Sequence, residues 1–152
     1  MTEPKRVSLA GALHVPLVPS HAWHLFTPRG ECSWVKDWAP RFLVDVVDDS
    51  APGTVFTTRR GGRYMIWTVV GRDPGRAIEY ARVGIDDHAG MVTVTCAPGP
   101  DGGTTVAVRY ELTALKPDAN AGLDEFAAGY QGFLEHWQDS IEAALASAER
   151  SH

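Results

Sequence analysis

Residues 120–150, NAGLDEFAAGYQGFLEHWQDSIEAALASAER, decide the fold. Leu123, Phe126, Tyr130, Phe133, Leu134, Trp137, Ile141, Ala144 and Leu145 fall on one stripe at the 3.6-residue period, and Gln131, Glu135, Asp139 and Glu142 lie opposite. Asp118 or Asn120 caps the start. Asp124 and Glu125 sit in the first turn, where the helix dipole favours negative charge. The pattern predicts one long amphipathic helix of about 40 Å at 1.5 Å per residue. Its buried face is unusually aromatic. Gly129 and Gly132 interrupt it, each costing roughly 1 kcal/mol against Ala in a helix interior, so they mark a bend or a close backbone approach.

The chain upstream reads differently. Between residues 48 and 103 turn signals recur: DDSAPG (48–53), RRGGR (59–63), DPG (73–75), DDHAG (86–90) and PGPDGG (98–103). Runs rich in β-branched and aromatic residues occupy 54–58, 64–71, 76–83, 91–97 and 104–115, a spacing that fits successive antiparallel hairpins. Nearer the N-terminus, Val7, Leu9, Gly11, Leu13 and Val15 share one face of a first strand over 5–15, which Pro16 and Pro19 end. Ser20 is placed to cap a short helix through Phe26, and a second short helix is expected over Glu31–Trp38, before Pro40. Phe42, Val44 and Val46 alternate over 41–46 as a second strand. The order is strand, two short helices, six antiparallel strands and one long helix. It predicts an α+β fold in which a seven-stranded antiparallel sheet wraps a long C-terminal helix. A curved sheet closed by a single helix tends to enclose a cavity.

Composition bounds what such a fold does. With 152 residues, 44% of them hydrophobic and 22% charged, the chain fits one domain, 1–152, with a real core. Fourteen Lys and Arg against nineteen Asp and Glu leave a net charge of −5, which argues against nucleic acid as a partner. No stretch approaches 18 consecutive apolar residues, so no membrane insertion is expected. The N-terminal MTEPKRVSLAGALHVPLV lacks the continuous apolar core of a signal peptide, so a cytoplasmic location with both thiols, Cys32 and Cys96, reduced is expected. No HExxH, CxxC, GxSxG, GxxxxGK[ST] or GxGxxG pattern occurs, so no metal, nucleotide or other cofactor is called for.

The element order, with the segments TPRGECSWVKDWAP (27–40), PGTVFTT (52–58) and YELTAL (110–115) and the aromatic helix carrying Tyr130 and Trp137, resembles the helix-grip fold of the START, birch-pollen-allergen and polyketide-cyclase superfamily (SRPBCC). It is most similar to the uncharacterised bacterial branch. The resemblance covers essentially the whole chain. It implies an internal apolar cavity between sheet and helix, with a mouth beside loops 59–63 and 85–90. Members bind lipids, sterols or aromatic compounds, cyclise and dehydrate polyketides, or act on partner proteins, so fold alone does not assign function.

Within that frame, Phe126, Tyr130, Phe133 and Trp137 from the helix and Phe56, Trp67, Tyr80 and Tyr110 from the sheet are candidate ligand contacts. The same residues also fit a packed core, and Trp137 fits it best. Ile78, Tyr80 and Arg82 share one strand face. If that face is inward, Arg82 must pair, with Glu31 or with a ligand anion; otherwise it is a surface cation. His21 and His24 read as surface groups, and His136 as solvent-facing beside the stripe. His88 falls in the mouth loop, where it would read a ligand's polar end or sense pH. Cys32 sits at a helix start whose dipole would lower its pKa, although burial as a small hydrophobe is the commoner fate. The expected function is binding of a small hydrophobic or aromatic ligand, lipid- or polyketide-like, by a monomer or homodimer. The alternatives are a cyclase or dehydratase in the same cavity, with catalytic residues unassigned, and a chaperone-activator-like interaction module.

Overall fold

The computed structural model describes residues 3–150. Its seven strands are β1 (Arg6–Val15), β2 (Arg41–Phe42), β3 (Val55–Arg60), β4 (Arg63–Asp73), β5 (Ala77–Gly84), β6 (His88–Pro98) and β7 (Thr104–Ala114). They form one antiparallel sheet in the order β1-β7-β6-β5-β4-β3-β2. The helices are α1 (Pro19–Ala22), α2 (Asn120–Ala128) and α3 (Tyr130–Arg150), with 3-10 turns at Trp23–Phe26 and Gly30–Ser33.

Alternation on the strands builds the concave face. On β7, Thr104, Val106, Val108, Tyr110, Leu112 and Ala114 are buried, while Thr105, Ala107, Arg109 and Thr113 are exposed. Register then extends one inward row across the sheet: Phe56 opposite Trp67, Trp67 opposite Arg82, Arg82 opposite Gly90, and Gly90 opposite Leu112. Directly opposed residues share a face, so Arg82 points inward with its strand neighbours Ile78 and Tyr80. A bulge between Val69 and Gly71 absorbs one residue of β4 and keeps Trp67 and Val69 buried.

α3 lies over the β1–β7 end of the sheet. Gly11 lets it come close: a Cβ there would stand 2.5 Å from Leu134 Cδ1. The Tyr130 hydroxyl donates to the Val108 carbonyl at 2.6 Å, and the His14 N–H donates to Gln138 Oε1 at 2.9 Å. The 3-10 turns close the opposite side. Trp34 Nε1 donates to the Leu25 carbonyl and Trp38 Nε1 to the Pro28 carbonyl, both at 2.7 Å.

Four local expectations are corrected. The single long helix is two, divided at Gly129, one of the two glycines expected to mark a bend or a close approach; it leaves helical geometry (φ −96, ψ 8), while nothing approaches Gly132. Asn120 does not cap the helix; its amide ties the N-terminal segment, accepting from the Lys5 N–H and donating to the Glu3 carbonyl. The strand expected over 41–46 stops at Phe42, where its partner β3 runs out at Val55–Phe56. The Val46 and Val47 carbonyls accept instead from the Arg29 guanidinium, and Leu43, Val44 and Val47 are left exposed. The short helices are shorter too. Pro19 rather than Ser20 starts α1, because a proline suits the first helical position, and Glu31–Trp38 holds only one 3-10 turn. Among the described residues no helix is long and apolar enough to cross a membrane.

Candidate functional site

A cavity of about 500 Å³ lies between the concave face, the 3-10 segment and α2–α3. Ligand sites commonly fall in the range of roughly 300–1,000 Å³ and are mostly apolar. Its walls are aromatic and aliphatic: Trp34, Trp38, Trp67, Tyr110, Leu112, Leu123, Phe126, Phe133 and Trp137. Exposed Lys36, Arg60, Gly61, Arg63, Asp87, Gly122 and His136 form its rim. Three cations against one carboxylate make that rim positive on an acidic protein. A second void of about 20 Å³, room for one water, is bordered by Glu31, Trp67, Tyr80, Tyr110 and Trp137 among others.

Six of the nine expected contacts, Trp67, Arg82, Tyr110, Phe126, Phe133 and Trp137, stand on the cavity wall. Tyr80 borders only the small void, its hydroxyl donating to the Phe26 carbonyl at 2.6 Å. Phe56 sits behind the wall, stacked parallel on Trp67 at 5.9 Å. Tyr130 is packed beneath Tyr110, Phe126 and Phe133. Trp137 does both jobs, lining the cavity and packing edge-on against Trp34.

Arg82 is the most constrained polar group of the site. Its guanidinium lies over Trp67 at 5.5 Å and Tyr110 at 5.4 Å. Nε donates to His88 Nε2 at 2.9 Å, and His88 Nδ1 faces Asp87 Oδ2 at 2.6 Å. That arrangement needs His88 neutral with its proton on Nδ1, donated to Asp87. The turn between β5 and β6 delivers it: Asp87 N–H donates to the Gly84 carbonyl, and His88 then stands opposite Gly84. A Cβ on Gly84 would come within 2.9 Å of the imidazole. Burial, then the Arg82 charge, hold the His88 pKa below its ordinary value, and Asp87 opposes them. Burial lowers the Arg82 pKa as well, yet a guanidinium starts high enough to stay charged. No carboxylate among the described residues forms an ion pair with Arg82, so its terminal amino groups remain available to the cavity.

The tyrosines divide sharply. Tyr80 and Tyr130 are tied to backbone carbonyls, whereas Tyr110, only 3% exposed, makes no hydrogen bond among the described residues. Burial raises the pKa of Tyr110, with Arg82 pulling it back, so it stays a neutral donor at physiological pH. Glu31, from the Gly30–Ser33 turn, is half-buried and lines both spaces without a hydrogen bond to its carboxyl. Burial pushes its pKa well above the ordinary carboxylate value, and Arg60 draws it partly back.

Several wall residues escaped the sequence reading. Trp34 and Trp38 lay in a segment read only as a short helix, and Thr58 and Met65 reach the cavity from strands in which only aromatic residues were taken as candidate contacts. Glu31 was visible only as a possible partner for Arg82, whose actual partner is His88. Cys32 is exposed and its pKa is raised, because partial desolvation of the thiol and the Glu31 charge outweigh anything a four-residue turn supplies. Cys96 is buried and pushed up to about 11. His21 and His24 are exposed, and no group of three or more His, Cys, Asp or Glu among the described residues is placed to hold a metal.

Sheet, grip helix and aromatic chamber define a helix-grip cavity protein. Residues 6–145 match the family model described as polyketide cyclase / dehydrase and lipid transport, and the chain belongs to that family. No curated protein matches it in sequence. Among solved structures it is similar to an uncharacterized protein from Rhizobium leguminosarum, at 16% identity over 94% of this chain and 99% of that one, with a TM-score of 0.69. It is also similar to MLL2253 from Mesorhizobium loti, at 19% identity over 90% and 98%, TM-score 0.64. Norcoclaurine synthase from Thalictrum flavum aligns at 12% identity over 95% and 88%, TM-score 0.65. At these identities the likeness is one of fold.

Proposed function

We propose that the protein binds a small aromatic or polycyclic molecule bearing a carbonyl or carboxylate oxygen, with that oxygen on Arg82 and Tyr110. One observation carries the reading: a guanidinium and a phenol, both with donors left over, meet inside an otherwise aromatic chamber. Buried polar groups are nearly always satisfied, so donors left over at a cavity wall point to a ligand acceptor. The rings of Trp67, Phe126, Phe133 and Trp137 offer flat apolar surface, and burial there contributes roughly 25 cal/mol per Å². The positive rim of Lys36, Arg60 and Arg63 favours entry of an anionic or carbonyl-bearing compound. The family description, lipid transport included, fits this use of the chamber.

The test is titration with 2-naphthoate, 2-tetralone and tetralin, followed by quenching of the cavity tryptophans. The two oxygen-bearing probes should bind more tightly than tetralin. Arg82→Met should remove most of that advantage, about 10- to 100-fold for naphthoate, as expected for a charge-assisted hydrogen bond of roughly 1.5–3 kcal/mol. Equal affinity for all three, or none, would refute the reading. Native mass spectrometry of gently purified protein would then show what it carries.

A further inference from the structure

We propose that Glu31 turns this chamber into a proton-transfer site for aromatic ketones, removing a proton from the carbon next to a carbonyl held by Arg82 and Tyr110. The proposal rests on the binding mode given under Proposed function and adds a reaction to it. Glu31 and Tyr110 border the same one-water void, and Arg82 lies over the Tyr110 ring at 5.4 Å. All three also line the chamber itself, so they face one shared space. Each has capacity to spare: the carboxyl of Glu31 and the hydroxyl of Tyr110 make no hydrogen bond among the described residues, and Arg82 commits only Nε. The other carboxylate on the wall, Asp87, is exposed and engaged with His88.

The division of labour follows from the surroundings. The titratable and charged groups facing Glu31 are Arg60 from β3, Tyr80 from β5, Tyr110 from β7 and Cys32 on its own turn; α3 presents uncharged Trp137. A carboxylate so sparsely neutralised is a stronger base than one in water, because burial raises its proton affinity. Opposite it, Arg82 and Tyr110 supply donors where negative charge would develop on a ketone oxygen. In the step, the Cα–H bond breaks and its proton joins the Glu31 carboxylate. The C–H electron pair forms the C=C bond of the enolate, and the carbonyl π pair moves to oxygen, against Arg82 and Tyr110. Return of a solvent-derived proton from Glu31 restores the ketone, so the net change is exchange of hydrogen at carbon, with no other reactant.

The experiment follows loss of the α-CH signals of 2-tetralone by proton NMR in buffered D₂O, with binding measured in parallel by tryptophan quenching. The protein should raise exchange at least tenfold over the buffer. Glu31→Gln should cut the protein-dependent rate by about 100-fold, within the range of general acid–base effects, while Kd changes less than about threefold. Glu31→Asp should keep part of the rate. The wild-type rate should climb with pD through an apparent pKa above the ordinary carboxylate range, and that inflection should vanish in Glu31→Gln. Tight binding without exchange, or a Glu31→Gln rate equal to wild type, overturns the proposal and leaves the binding reading standing. Failure of 2-tetralone to bind overturns this proposal, and only failure of 2-naphthoate as well overturns the binding reading with it.

Discussion

Replacing His88 by Gln tests the polar chain at the centre of the site. The imidazole is 2% exposed, accepts from Arg82 and faces Asp87. Gln keeps one acceptor and one donor on a chain of similar reach but does not titrate. In the wild type, burial first and the Arg82 charge second hold the His88 pKa below 6.5, and Arg63 adds to them. The sign follows from linkage. A histidine with a depressed folded pKa leaves stability intact above its unfolded value of 6.5, and stability falls as pH drops from there towards the folded pKa. Each pH unit in that window costs about 1.4 kcal/mol. In contact terms, protonated Nε2 becomes a donor aimed at the Arg82 Nε–H, and their hydrogen bond is lost. For a chain of this length, 1 kcal/mol moves Tm by roughly 2–4 °C. The assay is differential scanning calorimetry of both proteins from pH 8 to pH 5. At pH 8 the variant should be less stable by about 1 kcal/mol, because an amide places its two ends less well than the ring. Below pH 6.5 the gap should narrow, since every other titrating group is common to both proteins. Parallel Tm curves across the window would refute the assignment of a neutral His88 bonded to Arg82.

Three further outcomes are expected. Tyr130→Phe and Tyr80→Phe each remove a buried hydrogen bond to a backbone carbonyl and should lower urea-unfolding stability by about 1 kcal/mol, whereas Tyr110→Phe breaks no internal bond and should be neutral within about 0.5 kcal/mol. Gly90→Ala should cost at least the roughly 1–3 kcal/mol typical of overpacking, seen as a large loss in Tm, because its Cβ would overlap the backbone carbonyl oxygen of Glu111 across the β6–β7 ladder. Gly129→Ala should instead raise stability by about 0.4–1 kcal/mol in the same unfolding assay. Its φ of −96 suits any residue, and an added Cβ meets only the Glu125 carbonyl oxygen at 3.6 Å.

Much of the sheet was legible because strand burial is written at period two. Val106, Val108, Tyr110 and Leu112 alternate with Ala107, Arg109 and Thr113, and the structure buries the first set. The segment Phe42–Val46 alternates as well, but a strand needs a partner of matching length, and β3 extends only one residue, Val55, past the partner of Phe42. Likewise the stripe from Leu123 to Leu145 predicts one helix, and its glycines allow a bend without fixing where it falls. Of Gly122, Gly129 and Gly132, Gly129 is the one at which the axis divides.

The site divides along the same line. Periodicity, a local property of the chain, grouped its aromatics and Arg82 on shared faces; the resemblance made them candidate cavity contacts, and Trp34 and Trp38 escaped both. The polar logic came from neither. Tyr80, Tyr110 and Tyr130 are chemically identical, and only the carbonyls of Phe26 and Val108, 54 and 22 residues away, decide that two are occupied and one is available. Glu31 looks like any surface carboxylate until Trp67, Tyr110 and Trp137 surround it. Sequence by itself determined which residues of a strand or helix share a face, because side-chain direction follows the repeat of the backbone. Only the tertiary structure decided which inward polar groups were left unpaired, because hydrogen-bond partners and desolvation are set by elements distant along the chain.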